Sequence, residues 1–68
     1  MNEFARRLRK LRRRKNVSLQ VVADFCGVSK ITVVRYERGE RMPSLETAAL
    51  LADFFDVTID SLYGREKI

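Results

Sequence analysis

The sequence predicts an all-α fold, a compact domain of five short helices. Apolar residues recur at three- and four-residue spacing along most of the chain, and the period-two alternation typical of strands is absent. Residues that favour helix ends interrupt this pattern at short intervals. A chain of 68 residues has enough material for one small core, so we expect residues 1–68 to form a single domain.

The first helix is predicted from roughly Glu3 to Lys15, because Phe4, Leu8 and Leu11 recur at i, i+4 and i+7. This spacing gives a narrow apolar stripe on an otherwise charged helix. Asn16 should end the helix, since asparagine tolerates the left-handed backbone found at helix C-termini.

Two more helices follow with a very short break between them. Ser18 and Ser29 are capping residues for the second and third helices, Gly27 stops the second, and the third runs to about Arg38. The predicted inward residues are Leu19, Val22, Ala23 and Cys26 in the second helix and Val33 and Tyr36 in the third.

The last two helices begin at Ser44 and Thr58, which are again capping residues. Gly39 closes the third helix before them, and the proline at position 43 keeps the preceding residue out of helical geometry. The fifth helix is short and ends by Gly64. The predicted inward residues of the fourth helix are Leu45, Ala48, Ala49, Ala52 and Phe55, and the fifth helix runs through Ile59 and Leu62.

Positive charge is concentrated in the first helix. The net charge is +5, and eight of the fourteen Lys and Arg residues lie between Arg6 and Lys15. This favours a polyanionic partner, although a solvated helix face that aids solubility would show the same run. A nuclear-localisation, RNA-binding or membrane-surface helix is disfavoured, because the apolar stripe is needed by the core.

The composition argues against several classes of function. The chain has no histidine and one cysteine, Cys26, so neither a Cys/His zinc site nor a Cys-His nucleophile pair can form. We therefore expect no metal, no cofactor, no small-molecule ligand and no enzymatic activity. The apolar runs are too short to span a bilayer and the N-terminus does not resemble a signal peptide, so we expect a cytoplasmic protein without a membrane partner.

The second and third helices form the most informative constellation, at residues 19–38. Only Gly27 and Val28 separate the second helix from the cap of the third, and so short a break fixes the helices at a steep angle. Ala23 is small where the helices approach each other, and Gly27 suits a positive φ. These features predict a helix-turn-helix.

The outward side of the third helix carries a mixture of chemistries. With Val33 and Tyr36 inward, about 100° per residue turns the following residues outward: Lys30, Ile31, Val34, Arg35 and Arg38. Long cations can donate to guanine O6 and N7, and aliphatic groups can contact thymine methyls. The alternative is that Ile31 and Val34 only cover core left open by a small domain.

The stretch from Phe4 to Gly64 resembles the Cro and phage-repressor-like family of bacterial and phage helix-turn-helix regulators, whose domain is the lambda-repressor-like five-helix fold. The segments that carry the resemblance are Leu8-Arg9-Lys10-Leu11-Arg12, Ser18-Leu19, Val22-Ala23, Gly27-Val28-Ser29, Tyr36-Glu37-Arg38-Gly39, Pro43-Ser44-Leu45-Glu46-Thr47 and Ala52-Asp53-Phe54-Phe55-Asp56-Val57.

The resemblance implies a role for each part of the motif. It places the third helix in the major groove, with base contacts from Lys30, Ile31, Thr32, Val34 and Arg35. It assigns phosphate contacts to Ser18, to the amides that follow at Leu19 and Gln20, to Arg38 and to the loop around Arg41. It also implies a structural ion pair between Arg12 and Glu37.

One position departs from the family pattern. Many relatives begin the second helix with Gln, which binds a phosphate, whereas this chain has Leu19. Gln20 is one residue later and points about 100° away, so its side chain does not inherit the role. Leu19 is expected to pack inward while backbone amides serve the phosphate.

A second group of apolar residues lies off the main helical faces and suggests a dimer or partner interface. Its members are Val21, Phe25, Leu50, Phe54, Ile59, Leu62, Tyr63 and Ile68. The alternative, that a small core cannot cover every apolar side chain, applies most directly to Val21 and Phe25.

Two functions are compatible with these features. The first is sequence-specific binding of double-stranded DNA by a small transcriptional regulator, a homodimer that represses a promoter through a pseudo-palindromic operator. The second is a protein-interaction module, such as an antitoxin or adaptor, that acts through Val21 and Phe25.

Overall fold

Five helices run through residues 2–65, the part of the chain that the computed structural model describes. They are α1 (Glu3–Lys15), α2 (Leu19–Cys26), α3 (Lys30–Glu37), α4 (Leu45–Phe55) and α5 (Ile59–Leu62). The all-α class is confirmed, and each helix begins and ends within about two residues of its predicted limits. Ile68, which the sequence assigned to an apolar surface, lies outside the described residues.

The helices begin where the chain offers a short polar side chain. The capping residues are Asn2, Ser18, Ser29, Ser44 and Thr58, and each accepts a hydrogen bond from the backbone N–H three residues later. Such a bond satisfies one of the free amides of the first turn and contributes about 1 kcal/mol per helix. The sequence predicted four of these caps and missed Asn2.

Three helices end at residues with left-handed backbone. These are Asn16 with φ 57°, Gly27 with φ 69° and Asp56 with φ 55°. The first two were predicted, whereas Asp56 was not, because aspartate adopts this conformation less often than glycine. The tight turn at each position reverses the chain and lets neighbouring helices pack against each other.

All five helices contribute to one core. Its buried members are Phe4, Leu8, Val22, Ala23, Cys26, Val33, Tyr36, Leu51, Phe55 and Leu62. The ring of Phe4 joins three helices: it meets Tyr36 of α3 edge-on at 6.1 Å and stacks on Tyr63, which follows α5, at 5.1 Å between ring centres. This packing holds α3 and the end of α5 against the same ring of α1.

Two predictions about the last two helices were wrong. Leu45 was placed inward but is 74% exposed, because it lies in the first turn of α4, beyond the end of the core. Leu62 was placed on an interface but is fully buried, because the single turn of α5 directs its side chain into the core. Leu51, which the sequence analysis did not select, is fully buried instead.

Neighbouring leucines of α4 provide a test of this packing. Leu51→Ala should lower the free energy of unfolding by about 2–5 kcal/mol, because it leaves a cavity among buried side chains. Leu50→Ala, at the adjacent exposed position, should cost about 1 kcal/mol or less. Urea denaturation followed by circular dichroism measures both values. Equal losses in the two variants would contradict this description of the core.

Candidate nucleic-acid interface

The break between α2 and α3 consists of three residues: Gly27, Val28 and Ser29. Gly27 takes φ +69° as predicted, and the amide of Val28 donates to the carbonyl of Ala23 at 3.0 Å. No atom lies within 4 Å of the position where a Cβ of residue 27 would stand. The glycine is therefore required by its backbone conformation and not by crowding.

The inner side of α3 is held firmly. Val33 and Tyr36 are buried in the core, and Glu37 is the one charged residue classed as buried among residues 2–65. The helix is thus anchored along one side and at its C-terminal end. Its opposite side is left to solvent.

The outward side of α3 brings together three exposed residues: Lys30, Ile31 and Arg35. Ile31 is 55% exposed and lies on the same side of the helix as the two cations. Thr32 and Val34 are half-buried. The hydroxyl of Thr32 is also within hydrogen-bond distance of the capping hydroxyl of Ser29, at 2.8 Å.

Arg12 of α1 and Glu37 of α3 form a bidentate ion pair. Arg12 Nε lies 2.6 Å from Glu37 Oε2, and Nη2 lies 3.1 Å from Oε1. The two side chains are 18% and 7% exposed, so water screens the pair weakly. The hydrogen bond to Glu37 is the main cause that raises the pKa of Arg12, which keeps the guanidinium charged.

The same guanidinium also reaches the entry to α2. Arg12 Nη1 donates to the carbonyl of Val17 at 3.2 Å. One side chain therefore connects α1, the segment that leads to Ser18, and the end of α3. The helix-turn-helix is fixed to α1 at both its beginning and its end.

The residues at the start of α2 have different surroundings. Ser18 is exposed and its hydroxyl accepts from the amide of Val21 at 3.1 Å. Leu19 packs against the core as expected. Gln20 is exposed, and its Nε2 donates to Asp24 Oδ1 at 2.8 Å, so its side chain is directed along α2. The first amides of the helix have no intrahelical acceptor.

Arg38 and Arg41 lie in the exposed loop after α3. Arg38 contacts Glu40 at 3.3 Å, and both side chains are well exposed, so this pair holds the cation weakly. Asn2, which sequence reasoning did not select, approaches the same loop: its Nδ2 lies 3.7 Å from Met42 Sδ. The sequence did contain a signal for this residue, because Asn2 stands directly before α1 and asparagine is a common helix cap.

Neither a metal site nor a membrane-spanning helix is found in the described residues. Residues 2–65 contain no group of His, Cys, Asp and Glu that could hold a metal ion. None of the helices in the described part of the chain is long and apolar enough to cross a membrane. Burial raises the pKa of the Cys26 thiol, so it stays protonated near neutral pH and acts as an apolar core residue.

Comparison with known proteins identifies this arrangement. The Helix-turn-helix family model matches residues 8–62. The transcriptional regulator AnsR of Bacillus subtilis is 57% identical over 61 residues, which are 90% of this chain and 53% of AnsR. The phage CTXphi transcriptional repressor RstR of Vibrio cholerae is 39% identical over 64 residues, 94% of this chain and 58% of RstR.

The fold is shared with a solved repressor. The P22 c2 repressor in complex with a synthetic operator superposes with a TM-score of 0.89 at 21% identity, covering 97% of this chain and all of that one. The family-model match over residues 8–62 shows that the chain belongs to the Helix-turn-helix family. It spans about half the length of AnsR and RstR. The similar proteins include a transcriptional activator, BcrR of Enterococcus faecalis, as well as the repressor RstR.

The ion pair between α1 and α3 can be tested by removing one partner. Arg12→Ala should lower the free energy of unfolding by about 3–5 kcal/mol, because it leaves the buried carboxylate of Glu37 without a counter-charge. Replacing both residues with Leu should cost less than the single change. Arg13→Ala, one residue along and exposed, is the control and should change stability by about 0.5 kcal/mol or less. If Arg12→Ala is as stable as Arg13→Ala, the structural role of the ion pair is refuted.

Proposed function

We propose that this chain binds double-stranded DNA sequence-specifically and regulates transcription, with α3 inserted in the major groove of a pseudo-palindromic operator. The observation that carries the proposal is the exposed set of Lys30, Ile31 and Arg35 on a helix whose other side is fixed. A rigid helix presents side chains to base edges with little loss of conformational entropy on binding.

The chemistry of this face fits base edges. Lys30 and Arg35 can donate to guanine O6 and N7, and Ile31 can contact a thymine methyl group. Thr32 and Val34 lie at the margin of this face, so their contribution is smaller. Ile31 is half-exposed and lies between cations. Its burial is favourable only against a partner that supplies an apolar group next to hydrogen-bond acceptors, and the base edges of a mixed sequence supply both.

Phosphate contacts are proposed before and after α3 in the chain. Ser18 and the free amides of Leu19 and Gln20 form the start of α2, where the helix dipole favours an anion. Arg38 and Arg41 follow α3 and are exposed. Contacts of this kind set the position of the domain on the duplex and leave the choice of sequence to α3.

We also propose that the chain acts as a homodimer through the groove between α4 and α5. This groove has a volume of about 270 Å³, and Leu45, Ile59 and Tyr63 line it. Leu45 is available for this role because it is exposed. A two-fold dimer reads two half-sites about one helical turn apart, and occupying a promoter in this way represses it without a ligand.

A second candidate function is binding of a protein partner. Val21 and Phe25 are 46% and 49% exposed, and the ring of Phe25 lies 5.0 Å from that of Phe54 on α4. Leu50, four residues before Phe54 on α4, is exposed as well. Phe25→Ser separates the two functions, because it should leave DNA affinity unchanged and remove the partner contact.

The base-reading role predicts the behaviour of two variants. Lys30→Ala and Arg35→Ala should each weaken binding to a duplex selected from random sequences by about 1–3 kcal/mol and relax the preference at one position of the site. Arg7→Gln, whose side chain is paired with Glu3 on α1, should bind as the wild type does. Fluorescence anisotropy at fixed salt measures all three. Unchanged preference in both α3 variants would refute the proposal.

The dimer predicts different effects for two exposed leucines of α4. Leu45→Glu should shift the protein to monomer in sedimentation at micromolar concentration, because it places two like charges in the proposed interface. Leu50→Glu, outside the groove, should leave the dimer intact. A wild-type protein that sediments only as monomer, with and without selected DNA, would rule out this interface.

A further inference from the structure

The outward face of α1 is a strongly cationic surface that the proposed function does not use. Five cations line an open cleft of about 390 Å³ on this face: Arg6, Arg9, Lys10, Arg13 and Arg14. They lie opposite the buried Phe4, Ala5 and Leu8 of the same helix. The core therefore contributes nothing to their placement.

Cations far outnumber acids along α1. Eight cations lie between residues 6 and 15, whereas the remaining six cations of the chain are outnumbered by eight acids. Glu3 is the only acid of α1, and it pairs with Arg6 and Arg7. Within residues 2–65, no carboxylate lies within ion-pair distance of Lys10, Arg13 or Arg14.

This arrangement opposes folding when no anion is present. Lys10 stands three residues before Arg13 and four before Arg14, so these like charges are neighbours on the helix surface. Like charges at this spacing destabilise a helix. A face selected only for solubility would gain from interspersed acids. A bound polyanion turns the repulsion into attraction.

The face is separate from the outward side of α3. The two helices contact each other through their inner sides, with Phe4 against Tyr36 and Arg12 against Glu37. Their outer sides consequently point in different directions. From Arg6 to Arg13 the helix rises about 10 Å, and a DNA strand carries one phosphate per about 3.4 Å of axis, so the face matches roughly three phosphates.

We propose that the outward face of α1 is a second, sequence-independent surface for the phosphates of duplex DNA. The inference rests on the proposed function of α3, and it adds a contact that α3 does not make. The phosphates come from the flanks of the duplex that α3 reads or from a second duplex. In both cases the Arg and Lys side chains contact phosphates directly and release counterions.

A matched pair of double variants tests this contact. Lys10→Gln with Arg13→Gln removes two cations from the face. Arg7→Gln with Lys15→Gln removes the same charge from the same helix but outside the cleft, since Arg7 pairs with Glu3 and Lys15 lies 5.4 Å from the ring centre of Phe54. Urea denaturation verifies that both variants are folded.

The measurement is the affinity for a labelled random-sequence duplex of about 40 base pairs as salt rises from about 50 to 200 mM. In the Lys10/Arg13 variant the slope of log K against log salt should be less steep by about 2 per bound protomer. Each phosphate contact that is lost contributes about 0.9 to this slope. This change corresponds to a loss of up to about 60-fold in DNA affinity at 0.1 M salt. The Arg7/Lys15 variant should keep the wild-type slope.

Two further arms identify the source of the phosphates. If the Lys10/Arg13 variant binds duplexes of about 14 base pairs as tightly as the wild type does, the contact is to flanking DNA. Co-migration of two differently labelled duplexes, lost in the Lys10/Arg13 variant, assigns it to a second duplex. Three results would overturn the inference. They are an unchanged slope, an equal change in both variants, and a Lys10/Arg13 variant that loses self-association but keeps its DNA affinity. The Lys30→Ala and Arg35→Ala variants test α3 independently, so either proposal can fail alone.

Discussion

The bidentate contact between Arg12 and Glu37 determines where α3 stands in this domain. α3 has only eight residues, too few to be stable alone, and the turn before it has no disulfide or metal to hold it. A buried carboxylate at its C-terminal end must find a cation, and Arg12 provides one at 2.6 Å. Since the same guanidinium binds the carbonyl of Val17, the entry to α2 is fixed by the same group. The outward residues of α3 depend on this anchor.

The sequence predicted the helices well because their ends are encoded locally. Ser18, Ser29, Ser44 and Thr58 cap helices through bonds to amides three residues away, and such contacts need no knowledge of the tertiary fold. The errors were at positions where tertiary packing decides. Leu45 is only three residues before the buried Ala48, yet it lies in the open groove beside α5 and stays 74% exposed. Periodicity gives the direction of a side chain and not the extent of the core.

The candidate site was predictable to a similar degree. Helical geometry alone turned Lys30, Ile31 and Arg35 outward, and these three are exposed. The pairing of Arg12 with Glu37 was implied by the family resemblance, but the partners of the other polar side chains were not predicted. The bond from Gln20 to Asp24 depends on which of several neighbours a flexible side chain meets, and two residues four apart on a helix are always near each other. The half-buried state of Val34 likewise depends on the crossing of α2 and α3, which the sequence does not specify.

The small size of the domain makes its surfaces separable. Its Cα positions span 30 × 22 × 22 Å, so each of the short helices has one side in the core and another in solvent. Outward groups can therefore carry different chemistry without disturbing packing: aliphatic and cationic on α3, cationic on α1, apolar at Leu45. A substitution in any of these groups leaves Phe4, Leu8 and Leu51 in place. The same property explains why exposed apolar residues are informative here. Fully burying one such side chain would contribute roughly 1.5–3 kcal/mol, which is the reason that they enter the proposed interfaces.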